Sequence, residues 1–172
     1  FTIGQIALWA WRNRFKTLLQ GNVDAIYFNE KLYIGKREEV FVYNESTGNF
    51  DLFYHLAGKN ITLSCLHLDK NKNLWLGTTS NGIYCLSEDK NLSRPVTKGN
   101  ITSIYEDSSN ELWIGSWEEG LYRVKTDGSI ENLRHNPMNT NSLCSNFVRS
   151  CCEDNSGDLW IGTFNGLNRY DR

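Results

Sequence analysis

The chain has 172 residues and a formal net charge of −2, with 40% hydrophobic and 13% aromatic residues. This composition indicates a packed core in one domain or in part of a larger one, and it excludes a disordered chain. The basic residues are scattered, so nucleic acid is not an expected partner. The apolar start, FTIGQIALWAWRNRF at 1–15, is too short to span a bilayer and lacks a signal-peptide cleavage pattern. We therefore expect a soluble piece, with any targeting segment outside it.

Short apolar segments separated by turns follow one another along the whole chain, and they group into units. Residues 1–20 carry a weak copy of the later pattern and are predicted to be the end of one unit. Each later unit is predicted to contain a first strand, a turn, a second strand with an LWIG-like phrase, a third strand and a closing apolar strand. The predicted units are 21–58, 59–98, 99–146 with a linker, and an incomplete 147–172.

The phrase of the second strand gives the period of the repeat. It reads LYIG at 32–35, LWLG at 74–77 and LWIG at both 112–115 and 159–162. A period of about 40 residues is typical of solenoids or propellers, and four short strands in each unit favour propeller blades. Helical repeats of similar period would need amphipathic helices, for which no stretch is suitable. The predicted fold is all-β, a β-propeller fragment of about four to five four-stranded antiparallel blades.

Three residue types recur at equivalent positions in these units, and we interpret them as structural because every blade needs them equally. The tryptophan is predicted to wedge between neighbouring sheets, and Tyr33 takes its place in the 21–58 unit. The glycine is expected to let backbone or an aromatic ring approach closely. The aspartate is expected to accept hydrogen bonds from turn amides. The residues are Trp75, Trp113, Trp160, Gly77, Gly115, Gly162, Asp69, Asp107 and Asp154.

Five cysteines occur at irregular spacing, and an odd number of this kind is a poor disulfide framework. We expect them to be small buried hydrophobic residues rather than redox or metal-binding groups. Neither the cysteines nor the three histidines form a zinc site at the usual spacing, and no phosphate-binding glycine loop is present. The sequence predicts no metal, no cofactor and no catalytic residue.

Two segments carry a family resemblance. ITSIYEDSSNELWIGSWEEGLYRV at 101–124 and VRSCCEDNSGDLWIGTFNGLNRYDR at 148–172 resemble two-component regulator propeller repeats. The linker RHNPMNTNSLCSNFV at 134–148 is similar to a connection typical of that family. The resemblance covers nearly the whole chain, strongly from residue 61 onward and weakly before residue 23. LYIGKREEVFVY at 32–43 departs from the pattern, because it lacks the tryptophan and the second glycine.

The resemblance implies the periplasmic sensor region of a bacterial hybrid two-component protein, whose kinase, membrane and β-sandwich parts lie elsewhere. It implies a ligand, expected to be an oligosaccharide or another small molecule, and no chemistry in this region. Self-association or a neighbouring propeller of the same protein is the other expected partner. Two alternatives stay open. One is a protein-binding scaffold like the WD-type propellers, and the other is an enzymatic propeller resembling the streptogramin lyases.

The loop between the second and third predicted strands changes in every unit, whereas the scaffold around it repeats. Functional residues tend to occupy such loops on a rigid frame. An exposed aromatic ring there can stack on a sugar, although the same rings can instead cover the junction between blades. The polar residues of these loops are either ligand contacts or simply solvated. The candidate ligand-binding residues are Arg37, Trp117, Glu118, Phe164, Asn165 and, in the linker on the same predicted face, His135.

Overall fold

A computed structural model describes residues 23–28, 30–56, 61–93 and 95–171, and every regular element in this part of the chain is a β-strand. No helix of a length and hydropathy suited to crossing a bilayer is found among these residues. The strands are β1 (Val23–Phe28), β2 (Lys31–Lys36), β3 (Glu39–Asn44), β4 (Asn49–His55), β5 (Leu63–Leu68), β6 (Leu74–Thr78), β7 (Ile83–Leu86), β8 (Ile101–Glu106), β9 (Leu112–Ser116), β10 (Leu121–Val124), β11 (Ile130–Leu133), β12 (Val148–Glu153), β13 (Leu159–Thr163) and β14 (Gly166–Tyr170).

The strands form four antiparallel sheets, and each sheet runs through consecutive strands. The first sheet is β1–β4, the second β5–β7, the third β8–β11 and the fourth β12–β14. The first strand of each sheet contacts the first strand of the next, β1 with β5, β5 with β8 and β8 with β12. The sheets therefore fan out from their first strands, which confirms the predicted propeller fragment. The exact blade boundaries stay predictions, and residues 1–20 lie outside the described residues.

Among the described residues, the second sheet has three regular strands, one fewer than the four predicted for each complete blade. A segment after β7 runs beside it, and the Ser93 N–H donates to the Cys85 carbonyl at 2.8 Å. The next ladder donor would be residue 95, but Pro95 has no N–H, and Val96 donates to the Ile83 carbonyl instead. The missing donor shifts the register by one residue and prevents a regular fourth strand.

The core consists of three apolar layers, one at each junction between neighbouring sheets. At the second junction, Trp75 packs with Ile101 and Ile114. At the third junction, Trp113 is fully buried among Val148, Leu159 and Ile161. Burial of this apolar area is the main stabilising contribution that joins the sheets. The first junction holds Val40, Leu56, Ile61, Leu63, Leu66, Leu74, Leu76, Tyr84 and Leu86.

Each recurring aspartate is bonded to the recurring tryptophan six residues later. The indole N–H groups donate to the aspartate Oδ2 atoms at 2.8, 2.6 and 2.8 Å in the second, third and fourth sheets. The other carboxylate oxygen, Oδ1, accepts backbone N–H groups of the turn that joins the first two strands. The aspartate side chain therefore caps the turn and also orients the tryptophan ring. The pairs are Asp69–Trp75, Asp107–Trp113 and Asp154–Trp160.

The recurring glycines make room for small side chains and not for backbone or rings as expected from the sequence. A Cβ on Gly77 would lie 2.4 Å from Cys65 Sγ, and one on Gly115 would lie 2.5 Å from Ser103 Oγ. These partners are directly opposite the glycines in the antiparallel pairing of the first two strands. The Gly115 Cβ would also lie 2.9 Å from Val148 Cγ1 of the next sheet. The glycine thus permits close approach both within a sheet and between sheets.

A bulge near the start of the first strand links three of the sheets. The strand register shifts between Leu63 and Cys65, and the shift recurs at the same place in β8 and β12. The bulged residue of β5, Ser64, donates its hydroxyl to the Ile101 carbonyl of β8 at 2.6 Å. The bulged residue of β8, Thr102, bonds the Val148 carbonyl of β12 over the same distance. The bulges of β5 and β8 therefore each join one first strand to the next.

Candidate functional site

Three aromatic rings form a continuous surface where the third and fourth sheets meet, and we call Trp117, Phe147 and Phe164 the aromatic platform. The rings of Trp117 and Phe147 meet edge to face, with centroids 5.4 Å apart. Phe147 and Phe164 are tilted by 58°, with centroids 6.2 Å apart. Both separations lie in the range of favourable aromatic pairs. The platform is therefore one packed unit and not three independent side chains.

Backbone hydrogen bonds tie the loops of the two outer rings to the residues just before the first strands. The Trp117 N–H donates to the Asn100 carbonyl, and the Phe164 N–H donates to the Phe147 carbonyl, both at 2.9 Å. Thr79 makes the same bond to Thr62 in the second sheet. Trp117, Phe164 and Thr79 therefore occupy equivalent loop positions in three sheets. The variable side chain projects from an invariant frame.

The platform is open to solvent on one side. The exposed fraction is 37% for Trp117 and 65% for Phe164, while Phe147 is half-buried. The guanidinium of Arg149 lies 5.6 Å from the Trp117 ring centroid, within the range of a cation–π contact. Arg149 is the bulged residue of β12 and is itself exposed. An apolar stacking surface with a cation at its margin suits a flat ring that carries hydroxyl or acidic groups.

The acidic residues beside the platform are tied to the linker. Arg134 forms an ion pair with Glu119, and its other terminal nitrogen donates to the Glu118 carbonyl at 3.2 Å. The Glu118 side chain is exposed. The Glu119 N–H in turn donates to the Ser116 hydroxyl at 2.8 Å, which shapes the loop. These contacts hold the loop after β9 in one conformation next to Trp117.

His135 is exposed and makes two hydrogen bonds within the linker. Its backbone N–H donates to the side-chain oxygen of Asn146 at 2.7 Å, and its Nδ1 lies 2.6 Å from the Leu143 carbonyl. Because a carbonyl only accepts, Nδ1 must carry the proton. The Asn146 carbonyl also accepts the Gly120 N–H, so the linker is joined to the loop that holds Glu118 and Glu119. His135 is thus a positioning residue for this corner.

Arg37 lies on the first sheet, whereas Asn165 lies beside Phe164. Arg37 is exposed in a tight turn between β2 and β3 of the first sheet, with a φ of +52°. Its carbonyl accepts the Leu63 N–H, whereas Trp117 donates at the corresponding place. Asn165 is exposed beside Phe164 at the β13–β14 turn. The structure therefore brings Trp117, Glu118, Phe164 and Asn165 to neighbouring sheets, and it places Arg37 on the first sheet.

Two residues of the site, Phe147 and Arg149, were missed in the sequence. Phe147 occupies the place of Asn100 and Thr62, the residue just before the bulged strand. Phe147 could have been found in the sequence in the same way as Trp117, because it is an aromatic residue at a position where the other units have polar residues. Arg149 occupies the place of Ser64 and Thr102, and only the bulge reveals that it faces outward.

The platform and its surroundings offer stacking and charged groups. Within the described ranges, no three histidine, cysteine or acidic residues are grouped to hold a metal ion. The five cysteines are free thiols, and burial raises the pKa of Cys65 and Cys151 to about 12. Such thiols stay protonated at neutral pH and are poor nucleophiles. The features at the platform are exposed rings, a guanidinium and solvated carboxylates.

Comparisons with known proteins agree with this geometry. The chain is similar to the extracellular domain of BT4673, assigned to a one component system of B. thetaiotaomicron, with 22% identity and a TM-score of 0.76 over 92% of this chain and 23% of that one. It is similar to the extracellular domain of BT3049, assigned to a hybrid two component system of the same organism, with 26% identity and a TM-score of 0.69 over 84% and 19%.

A further likeness extends to an enzyme. Virginiamycin B lyase of Staphylococcus aureus, in a catalytically inactive form with quinupristin, shares 14% identity and a TM-score of 0.65 over 90% of this chain and 58% of the lyase. At this identity the likeness concerns the fold alone. The chain spans about a quarter or less of the length of the two B. thetaiotaomicron domains. A comparison with curated proteins gives no match.

The family comparison identifies the repeats themselves. The profile of the two component regulator propeller matches residues 55–80, 95–118 and 142–165. Each matched segment covers the first two strands of a sheet, including the bulge, the aspartate and the LWIG-like phrase. The matches therefore coincide with the structural features that join one blade to the next. In these three segments the chain therefore carries repeats of the two-component regulator propeller type.

Proposed function

We propose that this chain is a ligand-sensing part of the periplasmic propeller region of a hybrid two-component sensor, and that the aromatic platform stacks against a ring of an oligosaccharide. The observation that carries the proposal is the exposure of Trp117 and Phe164, at one loop position in two adjacent sheets. Large rings left in solvent on a rigid frame are typical of binding surfaces. Arg149 and Glu118 would contact hydroxyl or acidic substituents of the sugar.

The location rests on the similar proteins and not on the platform. The two B. thetaiotaomicron structures are extracellular domains. By analogy, this propeller would lie outside the cytoplasmic membrane, and the kinase would belong to another part of the same protein. A propeller without chemistry of its own would then act only through binding.

Signalling in this proposal is a population shift. A ligand that contacts loops of two sheets favours the arrangement in which those loops are correctly spaced. The Arg134–Glu119 pair and the Asn146 contacts connect the platform loop to the linker, so a change at the loop would reach the linker surface. The ligand shifts the equilibrium only by its difference in affinity between the two states.

The test is a thermal-shift and glycan-array screen of the 172-residue chain with oligosaccharides. We expect a saturable shift that is lost in Trp117→Ala and in Phe164→Ala. The matched control is Thr79→Ala, at the same loop position of a sheet without a ring, which should bind like the native chain. Loss of one stacking ring should weaken binding about ten-fold. Turnover of a ligand by the full protein would indicate a lyase-like enzyme, and binding of proteins alone would indicate a scaffold.

The fourth sheet supports the proposal of a further protein partner. Leu167 of β14 occupies the place of Ile83 and Leu121, which are fully buried, yet 64% of its surface is exposed. Another sheet, from a second copy or from a neighbouring propeller of the same protein, would bury it. Sedimentation velocity of the native chain and of Leu167→Lys tests the first case. We expect association that the lysine abolishes, whereas a native monomer would indicate that another sheet of the same protein covers Leu167.

A further inference from the structure

A cleft of about 330 Å³ lies between the first and second sheets. Tyr33 and Phe53 of the first sheet and Leu86 of the second line it, and lysines stand at its margin. Lys31 begins β2, and Lys72 is in the β5–β6 turn. These turns are at the opposite end of the sheets from the loops that carry Trp117 and Phe164. The cleft is therefore a separate place from the aromatic platform.

Three side chains that fill the junction of the third and fourth sheets have smaller counterparts at the first junction. At the junction of the third and fourth sheets, the Trp113 and Tyr170 rings meet at 5.2 Å. The Arg123 guanidinium lies 5.1 Å from one ring and 5.7 Å from the other, so this space is filled. By strand register, their counterparts at the first junction are Tyr33, Leu86 and Val42.

The rings that remain give the cleft an apolar wall. Tyr33 and Phe53 are packed edge to face, with centroids 5.3 Å apart and planes at 81°. Leu68, Leu74 and Leu86 continue the apolar lining from the second sheet. A ring-shaped ligand can therefore replace the area that Trp113, Arg123 and Tyr170 supply at the other junction.

The margin of the cleft is positively charged. Three lysines face one glutamate there, and Lys72 is paired with Glu88 at 3.2 Å. The Lys90 ammonium lies 4.8 Å from the Phe53 ring centroid and donates to the Phe53 carbonyl at 3.3 Å. Lys31 and Lys90 thus have no carboxylate within the cleft other than the one already paired with Lys72. The excess positive charge favours an anion.

We propose that this cleft binds a small cyclic carboxylate, with its ring against Tyr33 and Phe53 and its acidic group between Lys31 and Lys90. Apolar lining with a few charged groups at one side is the usual construction of a small-molecule site. The inference does not rest on the proposed oligosaccharide function, because the two surfaces lie at opposite ends of the sheets. A cyclic carboxylate has two natural sources, an aromatic acid and an acidic sugar.

The experiment titrates the 172-residue chain with benzoate, glucuronate and uncharged benzyl alcohol at low salt, followed by NMR of the Tyr33 ring and of the lysine side chains. Benzoate represents the aromatic acid and glucuronate the acidic sugar. We expect one of these anions to give a saturable shift at Tyr33, and benzyl alcohol to bind at least five-fold more weakly. Lys31→Gln and Lys90→Gln should each weaken binding of the anion about five-fold.

Two further variants separate this cleft from other surfaces. Tyr33→Trp restores the larger ring of the other blades and should abolish binding by filling the space. Lys70→Gln is the matched control, since Lys70 is also an exposed turn lysine but bonds Asn110 at the next junction. It should bind like the native chain. If Tyr33→Trp does not fold, the two lysine variants decide the question.

The proposal is overturned by any of three outcomes. The first is the absence of a saturable shift with both anions, and the second is equal binding of benzyl alcohol. The third is an equal loss in Lys70→Gln and Lys90→Gln, which would indicate nonspecific attraction to the surface. Trp117→Ala should leave the titration unchanged, so a failure of oligosaccharide sensing and a failure of this cleft are distinguishable.

Discussion

The indole nitrogen of Trp113 donates a 2.6 Å hydrogen bond to Asp107, and both side chains are almost fully buried. The second carboxylate oxygen of Asp107 accepts the N–H groups of Ser109 and Glu111. The same pair occurs in the fourth sheet, but Trp160 is half-buried and Asp154 exposed there. The two Asp–Trp pairs have the same hydrogen bond, but one is buried and the other is partly exposed to solvent. Substitutions at the two tryptophans can therefore be compared directly.

Trp113→Phe should lower the free energy of unfolding by about 3 kcal/mol. The substitution removes a hydrogen bond to a charged acceptor, leaves a buried carboxylate oxygen without that donor, and opens a void in the third junction. Urea denaturation measures the change. Trp160→Phe is the control and should cost less than half as much, because water replaces the lost donor of Asp154. Equal losses in the two variants would contradict the account.

Gly115→Ala should destabilise the chain by about 2 kcal/mol through overpacking. The new methyl group would meet Ser103 Oγ at 2.5 Å and Val148 Cγ1 at 2.9 Å, so both the sheet and its neighbour must shift. Gly162→Ala should cost less, because its Cβ would meet only Ser150 within 3.4 Å. Chemical denaturation of both variants provides the test.

A double-mutant cycle identifies the contact responsible. Val148→Ala removes the methyl groups that the Gly115 Cβ would meet. We therefore expect the two substitutions together to cost less than the sum of their separate effects, by about 1 kcal/mol. Simple additivity would mean that the clash lies within the sheet, at Ser103, and not between sheets.

Much of the fold follows from the repeat in the sequence. Four copies of one phrase fix the order of strands and the equivalence of Trp75, Trp113 and Trp160, because aligned copies share backbone geometry. Features that occur in only one unit are harder to interpret from the sequence, because no other copy can be aligned with them. Pro95 was visible in the sequence. Its effect on the ladder of hydrogen bonds could be recognised only from the register of the segment beside β7.

The candidate site was predicted only in part, and the reason lies in the bulge. Alternation along a strand assigns each residue to one face, but an extra residue reverses the assignment for the residues beyond it. The bulge therefore hides both the outward direction of Arg149 and the hydroxyl contact of Thr102 from any pattern argument. Phe147 precedes the strand, and its contact with Trp117 depends on how closely two sheets approach.

Thr102→Val should lower stability by about 1 kcal/mol. Valine keeps the shape of threonine but removes the hydroxyl that donates to the Val148 carbonyl at 2.6 Å, so that carbonyl loses a partner between two sheets. Arg149→Ala changes the same bulge position in β12, where the side chain is exposed, and should stay within about 0.5 kcal/mol of the native chain. A larger effect at Arg149 than at Thr102 would sink the idea that the bulge hydroxyl joins sheets. Thermal unfolding of both variants supplies the values.

His67 should make the stability of the chain depend on pH. Burial lowers the pKa of this histidine below its usual value of 6.5, against the opposing attraction of Glu106 and Asp69. Its Nε2 is buried and lies 3.7 Å from Glu106, too far for a hydrogen bond. The neutral ring is thus the form that the folded chain favours.

The sign of the effect follows from linkage. The unfolded chain binds a proton at His67 near pH 6.5, while the folded chain binds it only at lower pH. The contribution of His67 to stability is therefore complete above pH 6.5 and is lost as the pH decreases below 6.5. Urea midpoints measured from pH 7.5 down to pH 5 should decline, and His67→Gln should remove the part of the decline that begins near pH 6.5. A profile that rises on acidification would show that Glu106 dominates, because the ion pair with a protonated ring would then stabilise the fold.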